Sequence, residues 1–136
     1  MDHQSHLKML INLACIDGEI SESEKKYILN IGKANGVEEH DVNPLFKNFH
    51  DLILPVNLSD EKKFDYIFSL VQLMKIDERM YKEEIRYCSR VAARLGYDQD
   101  VVFDLMTKVK SVAMEKDEIN ALRDLTMKFL KTSSKP

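Results

Sequence analysis

The chain has 136 residues, a length typical of one globular domain, of which 44% are hydrophobic and 32% charged. Its 20 Lys and Arg residues and 23 Asp and Glu residues give a net charge of −3. This balance argues against nucleic acid as a partner, because nucleic-acid-binding domains usually carry a basic surplus. Only four Gly and three Pro interrupt a composition rich in helix formers, so an all-α fold is expected.

The sequence contains no pattern that indicates a zinc-binding motif, a disulfide framework or a transmembrane helix. Cys15 and Cys88 are far apart and lack ligand spacing, which favours reduced thiols in a cytoplasmic protein. The most apolar segment, residues 66–74, is far shorter than the roughly 18 residues that a membrane helix needs, so we expect no direct membrane insertion. Because the sequence has no G-x-S-x-G, Walker motif or Cys/His nucleophile pair, we also expect no enzymatic activity.

The first two helices are predicted from apolar periodicity and from their capping residues. Residues 5–16 show apolar side chains at helical spacing. Ser21 and Glu24 match a capping box that begins the second helix, and Gly36 after Asn35 is typical of a left-handed C-terminal residue.

Five further helices are predicted along the rest of the chain. Asn43 before Pro44 predicts the N-cap of a short helix that continues to Phe49, with an extra turn over residues 38–42. Ser59 is predicted to cap a fourth helix that is apolar on most of its circumference and therefore buried centrally. The remaining helices are predicted over residues 81–95, 98–109 and 116–132.

An internal repeat with an offset of 60 residues organises these helices. Residues 7–49 align without a gap with residues 67–109 at nine identical positions, where composition alone would give roughly three. The identical positions are Leu10/Leu70, Leu13/Leu73, Ile16/Ile76, Asp17/Asp77, Glu24/Glu84, Tyr27/Tyr87, Gly36/Gly96, Val42/Val102 and Leu45/Leu105. The alternative is a chance alignment of two amphipathic hairpins.

The repeat predicts a single domain over residues 1–136, built from two three-helix units and a closing helix. The first unit covers about residues 5–53, the second about residues 59–114, and the closing helix about residues 116–132. The fold class is therefore all-α with about seven helices.

The loop after the first helix of each unit contains an aspartate that is followed seven positions later by a glutamate. These residues are Asp17 and Glu24 in the first copy and Asp77 and Glu84 in the second. In the first copy the loop resembles the second half of a calcium-binding EF-hand loop, but the earlier ligand positions are Leu13 and Cys15, which offer no hard oxygen, so an EF-hand is rejected.

The segments "LACIDGEISESEKKYILNIGKANGV" and, 60 residues later, "LMKIDERMYKEEIRYCSRVAARLGY" resemble the TerB-like domain family, named for tellurite resistance. The resemblance covers about residues 7–114, and its most specific element is the repeated Asp-x-x-[Ile or Met]-x-x-x-Glu. It implies an all-helical fold of about seven helices, a bacterial stress-response role and partners that include membrane-associated proteins.

The resemblance also implies a divalent-metal site for Ca²⁺, Mg²⁺ or Mn²⁺ at Asp17, Glu24, Asp77 and Glu84, because the acidic loop positions of this family are proposed to chelate metal. The second copy departs from the first, with Glu78 and Arg79 in place of Gly18 and Glu19, so its site is less complete. The purely structural interpretation makes Asp17 a turn former and Glu24 a capping-box partner.

A basic column on the fifth helix is the clearest charged patch. Its members are spaced at i, i+4 along one helix face and are Lys82, Arg86, Arg90 and Arg94. Residues 1–58 carry five Lys and nine acids, net −4, whereas residues 59–136 carry 15 basic and 14 acidic residues, net +1. The column could bind an acidic partner surface, or it could be a solvated face paired locally with Glu83.

These observations predict a non-enzymatic stress-response domain that acts as a protein-interaction module, with divalent metal as a further expectation. One alternative is a co-chaperone adaptor, since TerB-like domains accompany J-domains, although this chain lacks the His-Pro-Asp of a J-domain. Another is a metal-dependent hydrolase that uses the acidic loops.

Overall fold

The computed structural model describes residues 3–16, 20–47, 54–55, 57–76, 82–98, 100–110 and 114–130. In these ranges the regular secondary structure is helical and includes no β-strand, which confirms the all-α class. None of the helices described there is long and apolar enough to cross a membrane. The chain divides into two compact units, Met1–Pro55 and Val56–Pro136.

The described part of the first unit contains α1 (His3–Ala14), α2 (Glu22–Ala34), α3 (Glu39–Val42) and the 3₁₀ turn Asn43–Phe46. Helix α1 packs against α2 and against the 3₁₀ turn, and α2 packs against α3. The apolar stripe of α1 is at most 1% exposed and comprises Leu7, Met9, Leu10, Ile11, Leu13 and Ala14. Burial of this stripe is the main stabilising contribution of α1.

Both ends of α2 have the predicted capping chemistry. At the start, Ser21 Oγ accepts from the Glu24 backbone N–H at 3.1 Å, and Glu24 Oε1 accepts from the Ser21 backbone N–H at 2.9 Å. At the end, Gly36 has a φ of +81°, and the Val37 N–H donates to the Gly32 carbonyl at 2.8 Å. This is a Schellman motif, in which glycine supplies the left-handed residue.

The predicted N-cap at Asn43 is wrong. Helix α3 already begins at Glu39, so Asn43 has helical angles and its side chain makes no cap hydrogen bond. Pro44 instead occupies an early position of the 3₁₀ turn, where its missing N–H is tolerated. The predicted continuation to Phe49 lies outside the described residues.

The second unit contains α4 (Asp60–Lys75), α5 (Lys82–Leu95), α6 (Asp100–Lys108), α7 (Lys116–Thr126) and a final 3₁₀ turn, Met127–Phe129. Helix α4 packs against α5, α6 and α7, and nine of its 16 residues are buried. Ser59 caps it as predicted, since its Oγ accepts from the Lys62 N–H at 3.2 Å. The prediction of a central, buried fourth helix is confirmed.

The segment after α7 differs from the predicted helix over residues 116–132. The α-helix stops at Thr126, and Leu130 is extended and forms an isolated β-bridge with Tyr97. The Phe129 carbonyl accepts from the Asp98 N–H at 2.6 Å, so it is engaged by the turn after α5 rather than by a further helical turn. Leu125, which lies within this predicted helix, is 49% exposed.

Candidate functional site

Glu24 is the acidic-loop residue of the first unit that the structure describes. It lies in the first turn of α2 and is only 4% exposed. One of its carboxylate oxygens accepts the Ser21 N–H. A buried carboxylate normally requires such a partner, because an unpaired buried charge costs several kcal/mol. The capping role predicted for Glu24 is therefore present in the structure.

Glu84 occupies the same place in the first turn of α5 and is also 4% exposed. It lies one helical turn before Cys88, which is fully buried, with its Sγ 3.8 Å from the Met74 Sδ. Burial raises the pKa of the Cys88 thiol well above its usual range, and the nearby Glu84 carboxylate raises it further. Cys88 is therefore protonated at neutral pH and is unsuited to act as a nucleophile.

The other two predicted metal ligands, Asp17 and Asp77, lie outside the described residues. In the portion of the chain with described coordinates, no group of three or more His, Cys, Asp or Glu side chains is arranged to hold a metal ion. The glutamate of each predicted pair is buried at the start of a helix.

The local structure around the two glutamates agrees between the units. Before each acidic loop, the Ile16 N–H donates to the Leu13 carbonyl and the Ile76 N–H to the Leu73 carbonyl, both at 3.2 Å. One turn after each glutamate is a half-buried tyrosine, Tyr27 in α2 and Tyr87 in α5, and burial raises the pKa of both.

The ends of α2 and α5 agree as well. Gly96 has a φ of +98°, and the Tyr97 N–H donates to the Ala92 carbonyl at 2.9 Å, so α5 ends in the same Schellman motif as α2. At the start of the following helix, the Asp41 N–H donates to the Glu38 carbonyl at 2.9 Å and the Val101 N–H to the Asp98 carbonyl at 3.0 Å. Each of these hydrogen bonds has its counterpart 60 residues along the chain.

The basic column on α5 is exposed at all four positions, Lys82, Arg86, Arg90 and Arg94. The opposite face of α5 is buried and comprises Glu84, Cys88, Val91, Ala92 and Leu95. Two faces of opposite character on one helix are what the i, i+4 spacing of the cations predicts.

In the part of the chain that the structure describes, no acidic side chain lies within ion-pair distance of the four cations. Considering only the described residues, none of them forms an ion pair, and exposed Glu83 makes none with the column. Arg90 also contacts an aromatic ring, with its guanidinium carbon 5.9 Å from the centre of the Tyr87 ring. The predicted alternative of local pairing with Glu83 is therefore absent from the described geometry.

The first unit also has a groove along α2 that the sequence does not predict. Two adjoining cavities of about 420 and 410 Å³ share Lys26, Leu29 and Glu39 in their walls. Val37, the last residue of the Schellman motif, adds a second apolar side chain to the larger cavity. Nothing in the spacing of these residues distinguishes them from an ordinary solvated helix face, so the sequence offers no signal for the groove.

Comparisons with protein-family models, with curated proteins and with solved structures found no match for this chain.

Proposed function

We propose that this chain is a non-enzymatic, TerB-like stress-response domain that acts as a protein-interaction module and binds an acidic partner protein through the basic column of α5. The observation that carries the proposal is the column itself: four exposed cations on one face, none in an ion pair among the described residues. Three of the four are arginines, the cation best suited to paired hydrogen bonds with carboxylates at an interface.

The cost of the column to the free protein supports a binding role. Like charges at i, i+4 on a helix destabilise it by about 0.2–0.5 kcal/mol per pair, and the column contains three such neighbouring pairs. An acidic partner would relieve this repulsion while it supplies charge-assisted hydrogen bonds. It would also accelerate association, because complementary potentials steer the encounter of two proteins.

The test uses polyglutamate as a defined acidic polypeptide and measures its binding at low ionic strength. A variant with Arg86, Arg90 and Arg94 replaced by Gln should lose most of the binding. The matched control replaces the exposed lysines Lys47, Lys62 and Lys116 by Gln, which removes the same net charge elsewhere. Equal loss of binding in both variants would show that net charge alone, and not the column, attracts the polyanion.

We also propose that the two three-helix units are a structural repeat followed by a closing helix, in a single domain of a cytoplasmic protein. The matching backbone hydrogen bonds and the equal burial of Glu24 and Glu84 support the repeat. The free thiols of Cys15 and Cys88 are in keeping with a reducing compartment.

A divalent cation at the acidic loops is the second candidate function. The observation that favours it is that both repeated glutamates, Glu24 and Glu84, are withdrawn from solvent at the end of an acidic loop. In each unit, the aspartate and the glutamate of its own loop would supply carboxylate oxygens, which Ca²⁺, Mg²⁺ and Mn²⁺ prefer as ligands.

Thermal denaturation with each cation tests this second proposal. A ligand present at about 100 times its Kd stabilises a protein by about 2.7 kcal/mol, so a site of useful affinity should raise the melting temperature visibly. Asp17→Asn combined with Asp77→Asn should abolish the rise and leave the capping box of α2 intact. No shift with any of the three cations would eliminate the metal site without affecting the proposal for the basic column.

A further inference from the structure

The basic column of α5 has a definite pitch and direction. Its four members are successive i, i+4 positions, so each lies about 6 Å further along the helix than the last, and the row spans about 18 Å. Each step also turns by about 40° around the helix axis, so the row is a slanted ridge rather than a straight line. Rows of this kind are inclined by about 26° to the axis of their helix.

We infer that the acidic partner of this surface is an α-helix whose Glu or Asp residues recur at i, i+4, and this inference rests on the proposed function above. An acidic i, i+4 row on a partner helix has the same pitch and the same slant. When two such helices face each other at a crossing angle of about −50°, their slanted rows become parallel. Each cation of α5 then has a carboxylate opposite it at matching intervals.

Ala93 supports a packed helix rather than a loose polyanion. It is exposed and lies one helical turn after Arg90, beside the C-terminal half of the column, and it is the smallest side chain on this face of α5. A methyl group at that position lets the backbone of a partner helix approach α5 closely, next to Arg90 and Arg94. Helix pairs pack at 8–10 Å between axes, depending on the side chains at the contact, and small residues permit the shorter distances.

Glu83 argues against a nucleic acid or an anionic membrane as the partner. Its exposed carboxylate lies one helical turn before the middle of the column and is unpaired with it in the described residues. A nucleic-acid backbone or an anionic membrane carries negative charge along its whole surface and would repel this carboxylate. A partner helix can place a neutral or basic residue opposite Glu83, beside its own acidic row.

The experiment compares two helical peptides of identical composition, each with four glutamates. In the row peptide the glutamates recur at i, i+4, and in the dispersed peptide they recur at i, i+5 and so point in different directions. Binding to the full chain is measured by fluorescence anisotropy at low and at physiological ionic strength. We expect the row peptide to bind at least about tenfold more tightly, the equivalent of two additional charge pairs.

Two variants locate the binding. Arg86→Glu with Arg90→Glu should abolish the preference for the row peptide. Ala93→Phe retains all four cations and should weaken the row peptide at least about fivefold, because it blocks close approach without changing the charge. Since Arg86, Arg90 and Ala93 are exposed, circular dichroism should show the same helix content and melting temperature within a few degrees for all variants.

The outcomes separate this inference from the proposed function. Equal binding of both peptides, or no effect of Ala93→Phe, would overturn the helix inference and leave an acidic partner in place. Failure of both peptides together with polyglutamate would overturn both proposals. Tighter binding of a duplex RNA, or of vesicles of phosphatidylserine and phosphatidylcholine, than of the row peptide would also overturn the inference.

Discussion

Gly32 in the last turns of α2 provides a sharp test of how the first unit is packed. A Cβ atom added at this position would lie 2.9 Å from the Val42 Cγ2 and 3.6 Å from the Leu7 Cδ1. Val42 is fully buried in α3, and its β-branched side chain has little rotameric freedom. Gly32→Ala must therefore move α3 or strain Val42.

The expected size of the effect follows from two opposing contributions. Replacing glycine by alanine inside a helix stabilises it by about 1 kcal/mol. Overpacking a well-filled core costs about 1–3 kcal/mol. The contact of 2.9 Å involves a fully buried partner, so the second contribution should dominate, and Gly32→Ala should lower the free energy of unfolding by about 1 kcal/mol.

A double-mutant cycle with Val42→Ala isolates the contact. Val42→Ala alone should destabilise the protein by about 2 kcal/mol, because it leaves a cavity in the core. It also removes the Cγ2 atom, so Gly32→Ala in this background should reverse its sign and stabilise by about 1 kcal/mol. Urea denaturation of the four proteins, followed by circular dichroism, gives the coupling free energy.

Gly36→Ala is the matched control for this cycle. Gly36 has a φ of +81° and no heavy atom within 4 Å of an added Cβ, so its substitution strains the backbone without a clash. It should cost about 1–2 kcal/mol whether residue 42 is valine or alanine. If Gly32→Ala behaves in the same way, with an unchanged cost in the Val42→Ala background, the packing argument is refuted.

Three other predictions concern hydrogen bonds at helix ends. Ser21→Ala should lower the free energy of unfolding by about 1 kcal/mol, because it removes the acceptor for the Glu24 N–H. Ser21→Asp should restore the free energy of unfolding, since aspartate also caps helices, and no measurable loss in Ser21→Ala would contradict the capping role. Lys75→Met should lower the free energy of unfolding by about 1–2 kcal/mol, since the Lys75 Nζ donates to two carbonyls at the C-terminal end of α6. An unchanged melting temperature in thermal denaturation would argue against these two hydrogen bonds. The hydrogen bond from Lys110 lowers the pKa of Glu118 in the folded protein. The stabilisation from this hydrogen bond should therefore be complete above the ordinary glutamate pKa of about 4.3, and it should disappear as the pH falls through the lowered pKa of Glu118. Glu118→Gln should therefore be less stable than the parent protein at neutral pH and equal to it at low pH, and a constant difference across the acid range would exclude this linkage.

Helix starts and stops were predictable from the sequence where the chemistry is local. The serine N-caps Ser21 and Ser59 and the left-handed Gly36 all lie where predicted, and Gly96, the counterpart of Gly36 in the repeat, is left-handed as well. Each of these features depends on hydrogen bonds or backbone angles within about five residues, so no knowledge of tertiary contacts is needed.

The features that depend on tertiary packing were less predictable. Asn43 before Pro44 is a typical local N-cap pattern. However, α3 begins four residues earlier, at Glu39, so the backbone of Asn43 already has helical angles. Leu125 matches the apolar period of α7 yet is 49% exposed, and Phe103 on α6 is 56% exposed. Periodicity specifies the face on which a residue lies, but not whether another element covers that face.

The candidate site was partly predictable for the same reason. The exposure of Lys82, Arg86, Arg90 and Arg94 follows from their spacing on an amphipathic helix. The lack of an ion pair between Glu83 and the column depends on side-chain geometry that composition does not specify. The burial of Glu24 and Glu84 likewise depends on neighbouring elements, which the local sequence around each glutamate does not specify.

The two proposed sites differ in how cleanly function can be separated from folding. On α5 the residues that stabilise the helix and the residues that form the column lie on opposite faces and have no member in common. Substitution within the column therefore changes the surface without opening the core, and a loss of binding there can be attributed to the surface. Glu24 is both a proposed metal ligand and a buried partner in the capping box, so Glu24→Gln perturbs both roles. For that site the aspartates, rather than the glutamates, are the informative positions to change.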